Sequence, residues 1–291
     1  MAQLKYAYYP GCASQAITKE ADITTRKVAE LLGIELVDMP AANCCGAGLL
    51  KDYNLELHLT LNARIFSQAE RMGLDILTIC STCFMTMNTA RKELAENPEL
   101  FDKVNRTLRE TTGHEYSAKV RVKHLLWVLR DDYRFERLKK EIKSPLTQLS
   151  IAPFYGCHIL RPSEALGFED PRDPSSLEAL IEVVGARAVD YEGRTLCCGF
   201  QADLVNPDTA IRMTARRLEE AKRVGADCLL TPCPFCHINL DSYQEMAEKK
   251  LEARFSLPVF HLAQVVGLAL GLQPEEVGLH RHLVSAEEIL G

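Results

Sequence analysis

The 291-residue sequence offers little that would carry it into or across a membrane. Its N-terminus, MAQLKYAYYPGC, has no basic stretch followed by an apolar one, so it does not read as a secretory signal. The longest apolar run near the C-terminus, LAQVVGLALGL at 262–272, has eleven residues, too few for a bilayer and right for a buried helix. No glycine-rich nucleotide loop and no HExxH zinc motif stand out, and no flavin or nicotinamide motif is visible. The net charge of −6 gives no sign of a nucleic-acid-binding surface. These features predict a cytoplasmic protein of ordinary globular composition, 47% hydrophobic and 25% charged, long enough for about two domains.

What such a protein should also lack is cysteine, and it has eleven. A cytosolic chain keeps its thiols reduced, so a disulfide framework does not account for them. Ten fall into two matching sets. The first runs Cys12, Cys44-Cys45, Cys80-x-x-Cys83. The second runs Cys157, Cys197-Cys198, Cys233-x-x-Cys236, and thirty-four residues separate the adjacent pair from the CxxC in each. Only Cys228 is left over, inside the apolar ADCLLTP, where it reads as core.

The duplication extends beyond cysteine. YAYYPGC (6–12) answers IAPFYGC (151–157), and AERMGLDILTICSTC (69–83) answers AKRVGADCLLTPCPFC (221–236). RVKHLLWVL (121–129) answers PVFHLAQVV (258–266), so His124 parallels His261, each at a helix start and expected to be structural. The first half carries a polar insert at 97–118. The boundary falls near 141–149, giving domains 1–145 and 146–291.

Each half alternates strand and helix. Strands are expected at 4–9, 34–39, 74–80, 149–155, 186–191, 226–231 and 258–260. Helices are expected at 18–33, 55–72, 175–184, 208–224 and 237–253. In the helix at 55–72, Leu57, Leu61, Ile65 and Ala69 recur every fourth residue. This pattern predicts an α/β fold of two Rossmann-like half-domains related by a pseudo-twofold axis, with parallel sheets. Ligand loops gather at the carboxyl ends of such strands, so three loops in each half can bring five thiolates together.

A lone CxxC is ambiguous, but a CxxC joined to distant cysteines in the same pattern twice points to metal. Soft thiolates select zinc or iron–sulfur clusters. Zinc takes four ligands and a cubane cluster four cysteines, one fewer than each set offers. Adjacent cysteines face opposite sides of an extended strand, so the loops must bend at Gly46 and Gly199, or the two thiols must reach different irons. Iron–sulfur is the favoured occupant. Zinc in one set remains the alternative, and a strained vicinal disulfide is the plainer reading of each adjacent pair.

The motifs YYPGC, NCCGAG, YGCHILRPSEAL, LCCGF and TPCPFCH resemble the cysteine-rich CCG family over nearly the whole chain. The resemblance is to the B-type component of heterodisulfide reductase and its relatives in sulfur-oxidiser heterodisulfide-reductase-like complexes and a non-classical succinate dehydrogenase. It implies a noncubane [4Fe-4S] cluster on Cys12, Cys44, Cys45, Cys80 and Cys83, and a second on Cys157, Cys197, Cys198, Cys233 and Cys236. It further implies an oxidoreductase subunit acting on a small thiol or disulfide substrate held between the clusters, each taking one sulfur. The implied partners are a ferredoxin-like iron–sulfur subunit and a flavoprotein, through which the chain would reach a membrane peripherally. The alternative within the resemblance is an electron relay of the succinate dehydrogenase kind, with zinc in one site. The stretch CCGFQADLVNPD departs from the glycine-rich continuation expected of the methanogen enzyme, which moves weight away from the methanogen coenzyme substrate. His158 and His237, each directly after a cysteine, are the candidate catalytic residues, for proton transfer or for tuning the cluster. Tyr8, Tyr9 and Tyr155 precede the first cysteine of each set and are candidates to line the crevice.

Overall fold

A computed structural model describes residues 3–290. The first half runs β1 (Lys5–Tyr9), α1 (Lys19–Leu32), β2 (Glu35–Asp38), α2 (Leu55–Met72), β3 (Ile76–Thr78), α3 (Ser81–Glu96), α4 (Pro98–Thr112), β4 (Val122–His124) and α5 (Phe135–Glu141). The second runs β5 (Ser150–Pro153), α6 (Ser176–Val183), β6 (Arg187–Ala188), α7 (Pro207–Arg223), β7 (Cys228–Thr231), α8 (Pro234–Ser242), α9 (Gln244–Leu251), β8 (Val259–His261) and α10 (Leu262–Ala269). Each half builds a four-stranded parallel sheet, ordered β2-β1-β3-β4 and β6-β5-β7-β8. The chain leaves β1 for one edge and returns through β3 on the other side. The switch point therefore lies between β1 and β3, and between β5 and β7, where an α/β sheet opens its ligand crevice. Cys12 and Cys80 follow the two strands flanking the first switch point, and Cys157 and Cys233 those flanking the second.

Most elements form where the hydrophobic pattern places them, α2 to the residue. Three differ. The polar insert at 97–118 folds largely as α4, because Asn97 caps Leu100 N–H, Pro98 suits the first helical position, and Val104 and Leu108 are buried. The helix expected at 237–253 starts earlier, at Pro234, and breaks at Tyr243 into α8 and α9. The strand expected at 186–191 shrinks to the two residues of β6 at a sheet edge.

The halves interlock through reciprocal contacts, as a pseudo-twofold requires. The helix after the fourth strand of each half crosses to the other: α10 packs on α1, and α5 packs on α6. At the first crossing Gly267 lies against Thr24, where an added Cβ would stand 3.1 Å from Thr24 Cγ2. Trp127 of the first half stacks on Phe168 of the second at 4.6 Å, with Phe84 tilted against the same ring at 5.9 Å. Val265, Val266 and Leu262 of α10 are buried, and each such side chain contributes about 1.5–3 kcal/mol on leaving water.

Candidate metal centres

Two fully buried histidines close the junction. His124 Nδ1 accepts from Leu126 N–H and caps its own helix, which leaves Nε2–H to donate to Pro232 O of the other half at 2.9 Å. His261 does the same in mirror fashion, accepting from Ala263 N–H and donating to Ile79 O at 3.0 Å. Ile79 and Pro232 are the residues before Cys80 and Cys233. Each half thereby fixes the start of the other half's CxxC turn.

Within the first set the thiols approach in pairs. Cys12 and Cys44 Sγ are 4.0 Å apart, and Cys45 and Cys83 Sγ 3.6 Å. The adjacent cysteines thus turn to different partners, Cys44 exposed and Cys45 buried. The second set repeats the arrangement, with Cys157 meeting Cys197 and Cys198 meeting Cys236. All eleven cysteines are free thiols, and Cys228 lies in the core of β7.

The loops are held alike at the glycine and differently at the carbonyl of the second cysteine. Gly46 and Gly199 take positive φ, 71° and 104°, and turn their N–H groups onto Cys44 Sγ at 3.5 Å and Cys197 Sγ at 3.4 Å. Asn62 of α2 holds Cys45 O at 2.9 Å, and Thr214 of α7 with Asn239 of α8 hold Cys198 O at 3.0 and 2.9 Å. Hydrogen bonds from Cys12 and then Cys45 push Cys44 down to about 2, while Cys12 is pushed up. Cys157 and then Cys198 likewise push Cys197 down to about 2. In the second set Cys233 is also held low, its burial outweighed by hydrogen bonds from Cys236 and Cys80.

The two sets meet. The Cys80 and Cys233 thiols face each other across the junction, and Thr82 Oγ1 lies 3.7 Å from Cys233 Sγ. Cys12, Cys44, Cys45 and Cys83 line a cavity of about 80 Å³; Cys157, Cys197, Cys198, Cys233 and Cys236 line one of about 20 Å³; Cys80 lines neither. The cavities share a wall made of Thr82, Phe200, Gln201 and Phe235, whose two phenylalanine rings stack at 4.2 Å.

Of the candidate histidines, His158 lines the second cavity and bonds Thr82 Oγ1 through Nδ1 at 3.0 Å. Burial lowers its pKa, against the pull of Cys233 and Cys197. His237 is placed elsewhere: its Nε2 lies 3.5 Å from Glu20 Oε1, its ring meets His282 edge-on, and it lines neither cavity. Tyr155 lines the second cavity with its hydroxyl bonded to Glu178. Tyr9 backs the first set, its hydroxyl donating to Asn43 O, and Tyr8 bonds Asp22 beside it. No sequence motif marks Thr82, Phe200, Gln201 and Phe235 as site residues. Position is the signal they do carry: Thr82 and Phe235 are the second x of each CxxC, and Phe200 follows CCG.

The residues suit a multi-iron group. Nine of the ten donors line the two cavities, Cys80 lying against Cys233 instead, and all are soft thiols of the kind that binds iron–sulfur groups. Gly11 and Gly156 leave the space: an added Cβ would stand 3.0 Å from Cys83 Sγ and 3.1 Å from Cys236 Sγ. Six of the ten thiols are buried, and so many grouped thiols ionise together only against a bound cation.

A duplicated α/β chain with two converging thiol cages is the form of a metal-holding redox protein. The cysteine-rich domain, CCG, matches residues 6–88 and 151–241, and the chain belongs to that family. It is 38% identical, over 99% of both chains, to the 8-methylmenaquinol:fumarate reductase membrane anchor subunit of Wolinella succinogenes. It is 35% identical to a protein of Archaeoglobus profundus described as like the B component of heterodisulfide reductase, over 94% of this chain and 93% of that one. To the B component of the ferredoxin:CoB-CoM heterodisulfide reductase of Methanosarcina mazei it is 32% identical, over 98% and 96%. A crystal structure of a hypothetical protein from Helicobacter pylori shares the fold, with a TM-score of 0.78 at 17% identity, covering 98% of this chain and 53% of that one. The relatives support a place as a subunit of an oxidoreductase complex with an iron–sulfur electron-transfer role. No described helix is long and apolar enough to cross a membrane.

Proposed function

We propose that the chain is the iron–sulfur redox subunit of a heterodisulfide-reductase-type complex, reducing or forming a disulfide-type substrate where its two cysteine sets meet. Cys12, Cys44, Cys45, Cys80 and Cys83 would hold one four-iron cluster of the noncubane kind, and Cys157, Cys197, Cys198, Cys233 and Cys236 the other. When bound, the clusters supply single electrons and iron with affinity for sulfur. The observation that carries this reading is the junction itself. Cys80 lies against Cys233 and the two cavities lie on either side of one wall, so a small disulfide seated at that wall would have one cysteine set on each side of it.

The chain's own residues do the rest. Thr82, from the first half, holds the His158 ring of the second at the shared wall. Burial keeps that imidazole neutral and able to exchange a proton with a departing sulfur. Phe200 and Phe235 exclude water between the cavities. His237, turned to Glu20, takes a structural part. Electrons come from a ferredoxin-like iron–sulfur subunit and a flavoprotein in the same complex, which we place in the cytoplasm or peripherally at its membrane. The second reading, a relay subunit of a non-classical succinate dehydrogenase with zinc in one site, is favoured by the similarity to the fumarate reductase subunit.

Anaerobically purified protein separates the two. Thiols and disulfides should shift the EPR signals of both clusters. His158→Gln should slow disulfide turnover about 10²-fold or more at unchanged iron content, with His237→Gln much milder. Signals indifferent to every thiol and disulfide, in protein that still passes electrons, would leave the relay.

A further inference from the structure

The walls facing the thiols offer no unpaired cation: Arg26, which lines the pocket outside Cys12 and Cys44, is held by Asp22 and Asp38. Apart from cysteine, the two cavities are lined by Ser81, Thr82, Tyr155, His158, Gln201 and apolar groups, with no lysine, arginine, aspartate or glutamate. The outward side mixes exposed apolar side chains with Lys51, Asp52 and Asp203, Lys51 being paired with Glu93. Leu204, 68% exposed, lines the first cavity, and Val205 beside it is 84% exposed. Across from them Ala47 and Gly48 lead into Leu49 and Tyr53, 55% and 84% exposed. Thiolate ligands add only negative charge to such a site. A carboxylate, sulfonate or phosphate entering it would lose water and meet no lysine or arginine free of a carboxylate partner, which strongly disfavours a buried anion.

Arginines do stand near the second set, but outside it. Arg212, Arg216 and Arg217 flank a groove that shares only Cys197 with the inner cavity. They are paired with Asp208 and Glu220.

We propose that the substrate of the shared site is an uncharged disulfide, or its thiols, with apolar or amide-like substituents near the sulfurs, and that an anionic heterodisulfide is excluded. This rests on the disulfide reading above. The overall step is RS–SR + 2 e⁻ + 2 H⁺ → 2 RSH. The S–S bond is the one cleaved, a reduced iron–sulfur partner is the electron source, and each sulfur gains a proton. Leu204 is the specificity-determining residue at the mouth.

The test uses the full chain, purified anaerobically with its metal, and two probes of one skeleton: dithiodipropionic acid and its dimethyl ester. Dithionite-reduced protein is freed of excess reductant and mixed with each, and reoxidation is followed by absorbance and EPR. Binding of the matching thiols to oxidised protein is measured by calorimetry, a readout independent of turnover. The ester and its thiol should bind more tightly than the acid by about tenfold or more for each carboxylate removed. Leu204→Lys, at an exposed position, should narrow that gap. Equal or tighter binding of the acid would overturn the proposal and leave the disulfide reading standing. If Arg216→Ala then abolished acid binding, the binding site would move to the outer groove. Response to neither probe, with both cluster signals present, would overturn the disulfide reading and this proposal with it.

Discussion

His124 and His261 are a single residue type used twice for two jobs, capping one half and bonding the other. Their environment holds both imidazoles neutral, His124 down to about 3 through burial and then the charge of His261, and His261 down to about 4 through burial. The unfolded chain takes up these protons near about 6.5, whereas the folded chain does not until the lower values. Stability from these groups is therefore full above about pH 6.5 and is lost as pH falls toward 4. Denaturant melts near neutral pH and at about pH 5 should show the loss. His124→Leu should cost about 2–4 kcal/mol near neutrality, through the cap and the orphaned Pro232 carbonyl, and should flatten the pH dependence. An unchanged pH slope in that variant would place the titration elsewhere. The repeat made these histidines legible as structural and equivalent. Their cross-half partners were not legible, because the acceptors are backbone carbonyls, which carry no sequence signature. His158 and His237 show the complementary limit. Both follow a cysteine, yet only His158 reaches a cavity, since α8 turns His237 toward Glu20 on the far side of the turn.

At the scale of elements, the strand-to-helix turns decide whether thiols can converge. Gly11 has φ 81° and Gly156 φ 68°, and each lets the chain pass close over the CxxC sulfur behind it. Gly11→Ala should therefore displace Cys83 and empty the first site, about halving iron per chain, while the second keeps its signal. Loss from both sites, or from neither, in the metal assay would break the link between this turn and its own set. Alternating strands and helices were readable from periodicity, since parallel strands buried on both faces leave short apolar runs. The two-residue β6 and the break at Tyr243 were not, because edge pairing and helix docking are tertiary effects that a local pattern does not contain. The polar insert shows the same limit in reverse: it folds as a helix once Val104 and Leu108 find the side of α2 to cover.

For the whole molecule, the duplication produces one junction in place of two independent domains. Exchange of α5 and α10 means that each half lacks the helix that covers its own first long helix. Residues 1–145 or 146–291 expressed alone should be insoluble or molten, with near-UV circular dichroism lost, and mixing the two from denaturant should recover structure. An independently folded half with cooperative unfolding would contradict the interlocked description. Two similar halves, each with its cysteine set facing a shared crevice, were expected from the sequence, but the contacts that join the halves were not legible, because they are reciprocal and link residues over a hundred positions apart. The central claim is that two separate five-thiol cages each hold iron within one shared site. Metal analysis with EPR of the anaerobic wild type beside Cys45→Ser, Cys198→Ser and Cys228→Ala tests it most directly. The account predicts about eight irons in the wild type and in Cys228→Ala, and loss confined to the substituted half in each of the other two. Stoichiometric zinc without iron, or metal lost on replacing Cys228, would contradict it.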